Sequence, residues 1–166
     1  MRIVKQRGFT LIELMVALVV LGILLGIGIP SFNSVIESAN LRSVTHSLNT
    51  ATQLARSEAL DRRDDVVVCR ANGALSACSF GADWSNGWIV ATLKPAGANY
   101  TTPGDVEVIR VWEAVNIVVS GASNGFRFNS SGRAPTNDDL QIQSDSESRC
   151  LRVSGSGRAM VEEGGC

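Results

Sequence analysis

The sequence predicts an α+β protein: a long amino-terminal helix, transmembrane in its first half, packed on an antiparallel β-sheet or small sandwich. Three observations predict it. From Leu14 to Ile36 there is no charged residue, and most of that run is Leu, Ile, Val, Ala or Gly; a helix needs roughly 20 such residues to cross a bilayer. Beyond it, apolar residues recur at spacings of three and four, one face of an amphipathic helix. The remainder consists of short Val-rich runs separated by Gly, Ser and Asn, as many short strands joined by tight turns require. At 166 residues the chain has room for one domain with a real core but not for two large ones. A formal net charge of -1 gives no reason to expect a polyanion partner.

The chain begins with a basic segment, Arg2, Lys5 and Arg7, ahead of the apolar run. A secretory signal would carry an apolar stretch of about 7–15 residues and a small-residue cleavage site; this stretch is too long and no such site ends it. A plain membrane anchor accounts for the span and for a basic flank held on the cytoplasmic side, but not for Glu13. A carboxylate in a bilayer span costs roughly 2–3 kcal/mol or more at full depth, and marks a functional position by default. The bland alternative places Glu13 at the interface, where it reaches water.

The string Gly8-Phe9-Thr10-Leu11-Ile12-Glu13-Leu14, with Pro30 closing the apolar run, closely resembles the class III leader and amino-terminal helix of type IV pilins and type II secretion pseudopilins. The resemblance covers roughly residues 1–35 and implies that a prepilin peptidase cuts after Gly8 and methylates the new amino terminus, Phe9. The implied organisation is a leader over 1–8, a transmembrane part of the helix over 9–31, an amphipathic part over 32–64 and a periplasmic β-rich head over 65–166. It also implies that Glu13 pairs with the Phe9 amine of a neighbouring subunit as helices stack. An unpaired carboxylate is costly in low dielectric and a paired one is not, so such a pair sets the axial register of assembly. Gly22, Gly26 and Gly28 suit close helix packing, although simple tolerance of Gly in a span accounts for them equally well. Pro30 is expected to kink or locally melt the helix.

Past Pro30, Leu41, Val44, Leu48, Ala51, Ala55 and Ala59 form one helical face, while Arg42, Asn49, Gln53, Arg56 and Arg63 occupy other positions. The helix is expected to end near Arg62 to Asp65. Counted from Phe9 that is about 54 residues, on the order of 80 Å at 1.5 Å each if straight. Only its second half has a face for a head to pack on. His46 lies on this helix without companion ligands or a nearby nucleophile, and reads as a solvated or packed residue.

The head is expected to start with a strand over Val66 to Arg70. Asp83 to Val90 is a turn with Asn86-Gly87 feeding a strand. Val106 to Trp112 and Asn116 to Val119 alternate like paired strands, Gly97 to Gly104 is a loop, and Phe126 to Asn129, Leu140 to Gln143, Cys150 to Val153 and Ala159 to Val161 follow with Gly- and Ser-rich turns between them. The Trp and Phe residues read as core. Four cysteines (Cys69, Cys78, Cys150, Cys166) lie in this part, an even count that suits disulfides in an oxidising compartment. They permit three pairings; local pairing, Cys69-Cys78 and Cys150-Cys166, is preferred, the second tying down the carboxy-terminal tail. No metal-ligand spacing is present, so neither zinc nor any other cofactor is expected.

Trp84-Ser85-Asn86-Gly87-Trp88-Ile89-Val90 and Phe126 to Ala134 look like the head of the GspH/FimT group, which contains the type II secretion minor pseudopilin and the type IV pilus minor pilins FimT and FimU. What the resemblance implies is a non-catalytic minor pilin of FimU/FimT type. It would be anchored once in the inner membrane with its head in the periplasm. There it would join other minor pilins, and then major pilin, through the amino-terminal helix in a priming or tip complex. A GspH-type pseudopilin of type II secretion is the alternative. Some FimT-type pilins carry a Gly-Arg-x-Arg motif and bind DNA. Here the string is Gly157-Arg158-Ala159-Met160, and from Gly125 onward five arginines face six acids. Without the three basic side chains of the leader, 12 basic groups face 16 acidic ones, a charge of about -4. Phosphate binding needs a cationic patch, so DNA is not the expected partner; Arg133, Arg149, Arg152 and Arg158 are the residues from which a folded patch could be built. No Ser/His/Asp set, P-loop or Rossmann fingerprint is present, and an enzyme is not expected.

Overall fold

The computed structural model describes residues 8–94 and 99–166, with the side chains of residues 25–32 excepted. The leader residues Arg2, Lys5 and Arg7, the surroundings of Gly26, Gly28 and Pro30, and part of the loop Gly97 to Gly104 therefore lie outside what is described. One helix, α1 (Leu11–Arg62), is followed by eight strands: β1 (Val66–Arg70), β2 (Trp88–Leu93), β3 (Val106–Trp112), β4 (Val118–Gly121), β5 (Phe126–Phe128), β6 (Asp138–Gln143), β7 (Ser148–Val153) and β8 (Ala159–Glu163). The chain divides into two compact units, Met1–Glu37 and Ser38–Cys166.

In the first unit the described apolar side chains are exposed, and Leu11, Ile12, Leu14, Leu18, Leu21, Leu24, Val35 and Ile36 are each more than half exposed. Among the described residues no helix is long and apolar enough to cross a membrane; the span expected over 9–31 includes residues outside the described side chains. The helix continues through Pro30.

In the second unit, the predicted face of α1 is the one that packs. Leu41, Leu48, Ala51, Ala55 and Ala59 are fully buried. The sheets are two: β3-β2-β1-β5 and β4-β6-β7-β8, each four-stranded with antiparallel pairing. The helical face, Val66, Val68, Val90, Phe126 and Phe128 of the first sheet and Leu140, Ile142, Leu151 and Val153 of the second form one core with Trp84 and Trp88. The opposite face of the first sheet has a smaller core of Val67, Cys69, Ile89, Ala91, Tyr100 and Val106. Burial on both faces explains the unbroken Val66-Val67-Val68 run, because alternate side chains of a strand enter opposite layers.

Two expectations are corrected here. β3 and the strand after it do not pair with each other: β3 pairs with β2, and β4 pairs with β6. Alternation marks a half-buried strand but carries no record of its partner, and the segment between them crosses from one sheet to the other. Asn116 and Ile117 also precede β4, which starts at Val118. At the start of β5, Gly125 has a φ of 72°, and a Cβ there would collide with the Val68 carbonyl oxygen; only glycine allows β5 to lie this close to β1.

Cys69 is bonded to Cys78 with Cα atoms 5.6 Å apart, and Cys150 to Cys166 with Cα atoms 5.0 Å apart. The first bridge closes the loop after β1. The second fastens residues beyond β8 to the buried middle of β7.

Candidate functional site

The first turn of α1 holds the residues that the leader string singles out. Thr10 is the N-cap: its Oγ1 accepts the Glu13 backbone N–H at 3.3 Å, and its carbonyl oxygen accepts the Leu14 N–H at 3.2 Å. Thr10-Leu11-Ile12-Glu13 thus carries the sequence pattern of a capping box, of which the Thr10 side-chain half is formed. This role was legible as Thr-x-x-Glu, yet it escapes a reading that treats Glu13 only as a charge in an apolar run. An acid in the first turn also suits the positive end of the helix dipole. Gly8, Phe9 and Glu13 are exposed, Phe9 at 84 %. A Cβ on Gly8, or on Gly22, would meet nothing within 4 Å. No internal contact therefore demands glycine at either position.

Farther along α1, His46 is exposed and its carbonyl oxygen accepts the Thr50 hydroxyl at 2.8 Å. The four candidate arginines do not form one patch. Arg149 and Arg152 lie three residues apart on β7 and so project to opposite faces. Arg152 is bound by Asp139 and by Glu162, each at 3.1 Å, and the Asp139 hydrogen bond is the main reason its pKa lies above the usual arginine value. Arg149 lies 3.7 Å from Glu163. Arg133 and Arg158 are exposed, and the turn at Gly157 packs against the backbone of Gly132 and Arg133. Arg56 Nη1 donates to the Gly157 carbonyl at 3.1 Å, beside a shallow hollow that Arg158 also lines. Asp139 lies within 4.8 Å of the sulfurs of Cys150 and Cys166, but those sulfurs are bonded to each other and the carboxylate is held by Arg152. This cluster offers no free thiolate for a metal.

An outer-face cluster went unnoticed in the sequence. Arg127 forms an ion pair with Asp65 and lies 5.9 Å from the ring centre of Tyr100, whose hydroxyl donates to the Asp65 carbonyl at 3.4 Å. Burial pushes the Tyr100 phenol up to about 12. These residues come from three separate segments, so no spacing signals them.

The sequence profile described as "Type II transport protein GspH" matches residues 44–157, and that described as "Prokaryotic N-terminal methylation motif" matches residues 3–29. The chain belongs to the GspH family. Among solved structures, two crystal forms of the type IV minor pilin FimU of Pseudomonas aeruginosa strain PAO1 share the fold of this GspH-family chain at 21 % identity. The form in space group P65 has a TM-score of 0.54, covering 73 % of this chain and 91 % of that one. The form in P21 has a TM-score of 0.56, covering 76 % and 90 %. No curated protein matches significantly. The GspH-family match covers most of the head, and the methylation motif covers the amino-terminal string containing Gly8, Phe9 and Glu13; together they make the chain a type IV pilin-like subunit.

Proposed function

We propose that the chain is a non-catalytic minor pilin that assembles through its amino-terminal helix. The observation that carries this reading is the first unit of α1, whose described apolar side chains lie exposed behind an acid at the first turn. So large an exposed apolar surface calls for a membrane or a partner. In this reading prepilin peptidase removes residues 1–8 and methylates Phe9, and residues 9–31 hold the subunit once in the inner membrane with its head in the periplasm. During assembly Glu13 leaves the interface for a low-dielectric helix bundle, where pairing with the Phe9 amine of the adjacent subunit offsets its desolvation. Other minor pilins, and then major pilin, stack on it in a priming or tip complex. The FimU likeness and the two disulfide-bonded head loops support the pilus setting.

The GspH match supports a second setting, a minor pseudopilin of type II secretion, that uses the same helix chemistry. DNA uptake is the weaker reading, since two of its four arginines are bound by carboxylates and the pair on β7 faces opposite ways. The test is Glu13→Gln in the full chain, scored by incorporation into the assembled fibre or tip complex. Loss of incorporation with a folded head is expected; normal incorporation contradicts the register role.

A further inference from the structure

Ion pairing divides the arginines of the second unit. Arg62, Arg127, Arg149 and Arg152 each have a carboxylate partner. Among the described residues Arg56, Arg133 and Arg158 have none, and these three meet at Gly157. Arg56 Nη1 donates to the Gly157 carbonyl oxygen at 3.1 Å, and Arg158 follows Gly157 in the chain. Gly157 has a φ of 75°, and a Cβ there would collide with the Gly132 carbonyl oxygen and lie 3.4 Å from the Arg133 Cα. Glycine is what lets the turn before β8 close on the turn at Gly132, which brings the backbone of Arg133 up to that of Gly157.

Arg56 and Arg158 line a hollow of about 190 Å³ between α1 and the start of β8, together with Thr52, Gln53, Gly157 and Ala159 and without a carboxylate. The Arg56 guanidinium is partly buried and held by its bond to Gly157, so it is oriented before anything binds; Arg158 is exposed. Gln53 gives one amide hydrogen to Asn49 Oδ1 at 3.2 Å and keeps the other. Two guanidinium forks on one hollow call for an anion with paired oxygens, a carboxylate or a phosphate. The hollow has room for one such group, not for a run of them. Charge decides between the two. Without the leader, 12 basic groups face 16 acidic ones. That surplus repels a polyanion, whose charges extend beyond the hollow, far more than a single carboxylate seated in it.

We propose that this hollow receives a side-chain carboxylate of a neighbouring pilin-like subunit. Arg56 and Arg158 hold the carboxylate, and Arg133 adds to the positive field around it. Because the site is built from both α1 and the β7–β8 turn, the contact fixes where the neighbour sits against the head. This rests on the minor-pilin reading and adds a contact at the head to the contact between amino-terminal helices.

The test uses the full-length chain recovered from membranes with the other minor pilins. The Arg158 side chain makes no bond to the described residues, so Arg158→Gln should keep the thermal midpoint of the chain. Its recovery in the complex is expected to fall about tenfold, the scale of one hydrogen bond to a charged group. Lys94→Gln removes the same charge from an exposed position outside the hollow and should leave recovery unchanged; an equal loss there makes the effect one of net charge and overturns the site. In the assembled complex, carbodiimide is expected to couple the amine introduced by Arg158→Lys to an Asp or Glu of another subunit, identified by peptide mass. Coupling confined to acids of its own chain overturns the proposal, as does normal recovery of Arg158→Gln, and both leave the pilin reading standing. Loss of the wild-type complex on nuclease treatment assigns the anion to nucleic acid and also overturns it. Failure to recover the wild-type chain with any pilin-like subunit overturns both.

Discussion

At Glu13 a single substitution separates a place in the first helical turn from the proposed part in assembly. At the third helical position after the Thr10 cap, Glu and Gln are both suited; the proposed intersubunit ion pair requires a charge. Glu13→Gln is therefore expected to leave helix content and head stability unchanged. It should weaken assembly by about 3 kcal/mol or more, the cost of leaving a buried partner charge unpaired, measured as loss of the chain from purified complexes. Gly8 makes no internal demand for glycine, so Gly8→Ala should fold normally and persist as an unprocessed band on gels; full processing would contradict the proposed cleavage after Gly8. Tyr100 supplies an internal probe, being the one tyrosine in the sequence. Its phenol is expected to titrate at about 12 in the folded chain because burial disfavours the phenolate, and near 10 in denaturant. The shift is upward, so its stabilising contribution is complete below about pH 10 and is lost as pH rises toward 12. Phenolate absorbance against pH, with and without denaturant, checks this; a folded-state midpoint near 10 contradicts it. The string at Gly8, Phe9 and Glu13 was legible because its chemistry is local. The Arg127–Asp65–Tyr100 cluster was not, because its members meet only after β1 and β5 pair.

At the scale of elements, the helix and its buried face could be read almost residue by residue, since period 3.6 is written in one continuous segment. The end at Arg62 was legible from the switch to Val66-Val67-Val68. It is made without glycine: Arg63 takes a φ of 56° to leave the helix. Leu48 sits at the centre of the buried face and is fully enclosed. Leu48→Ala is expected to cost about 2–5 kcal/mol by cavity formation, read from denaturant unfolding of the chain. Replacing both Cys69 and Cys78 by Ser should lower stability by about 2–4 kcal/mol, with the loop after β1 becoming the first segment to exchange its amides. Strand positions were readable from β-branched runs, but their partners were not. The division into two sheets depends on which strands share the α1 face, a long-range choice that alternation along any one strand does not encode.

The whole molecule combines a head with its own core and an amino-terminal helical unit whose described apolar side chains have no internal cover. Charge explains why a net count decided more about the arginines than their positions did. Arg149 and Arg152 are each held by a carboxylate on β6 or β8, and the two project to opposite faces of β7. The central claim is that this chain is matured and assembled as a pilin. The measurement that tests it most directly is the intact mass of the membrane-expressed chain, made in a host with prepilin peptidase and recovered together with whatever accompanies it. The account predicts a mass beginning at N-methylated Phe9, co-recovered with other minor pilins, or with pseudopilins if the secretion setting is the right one. A chain still beginning at Met1 in that host contradicts it.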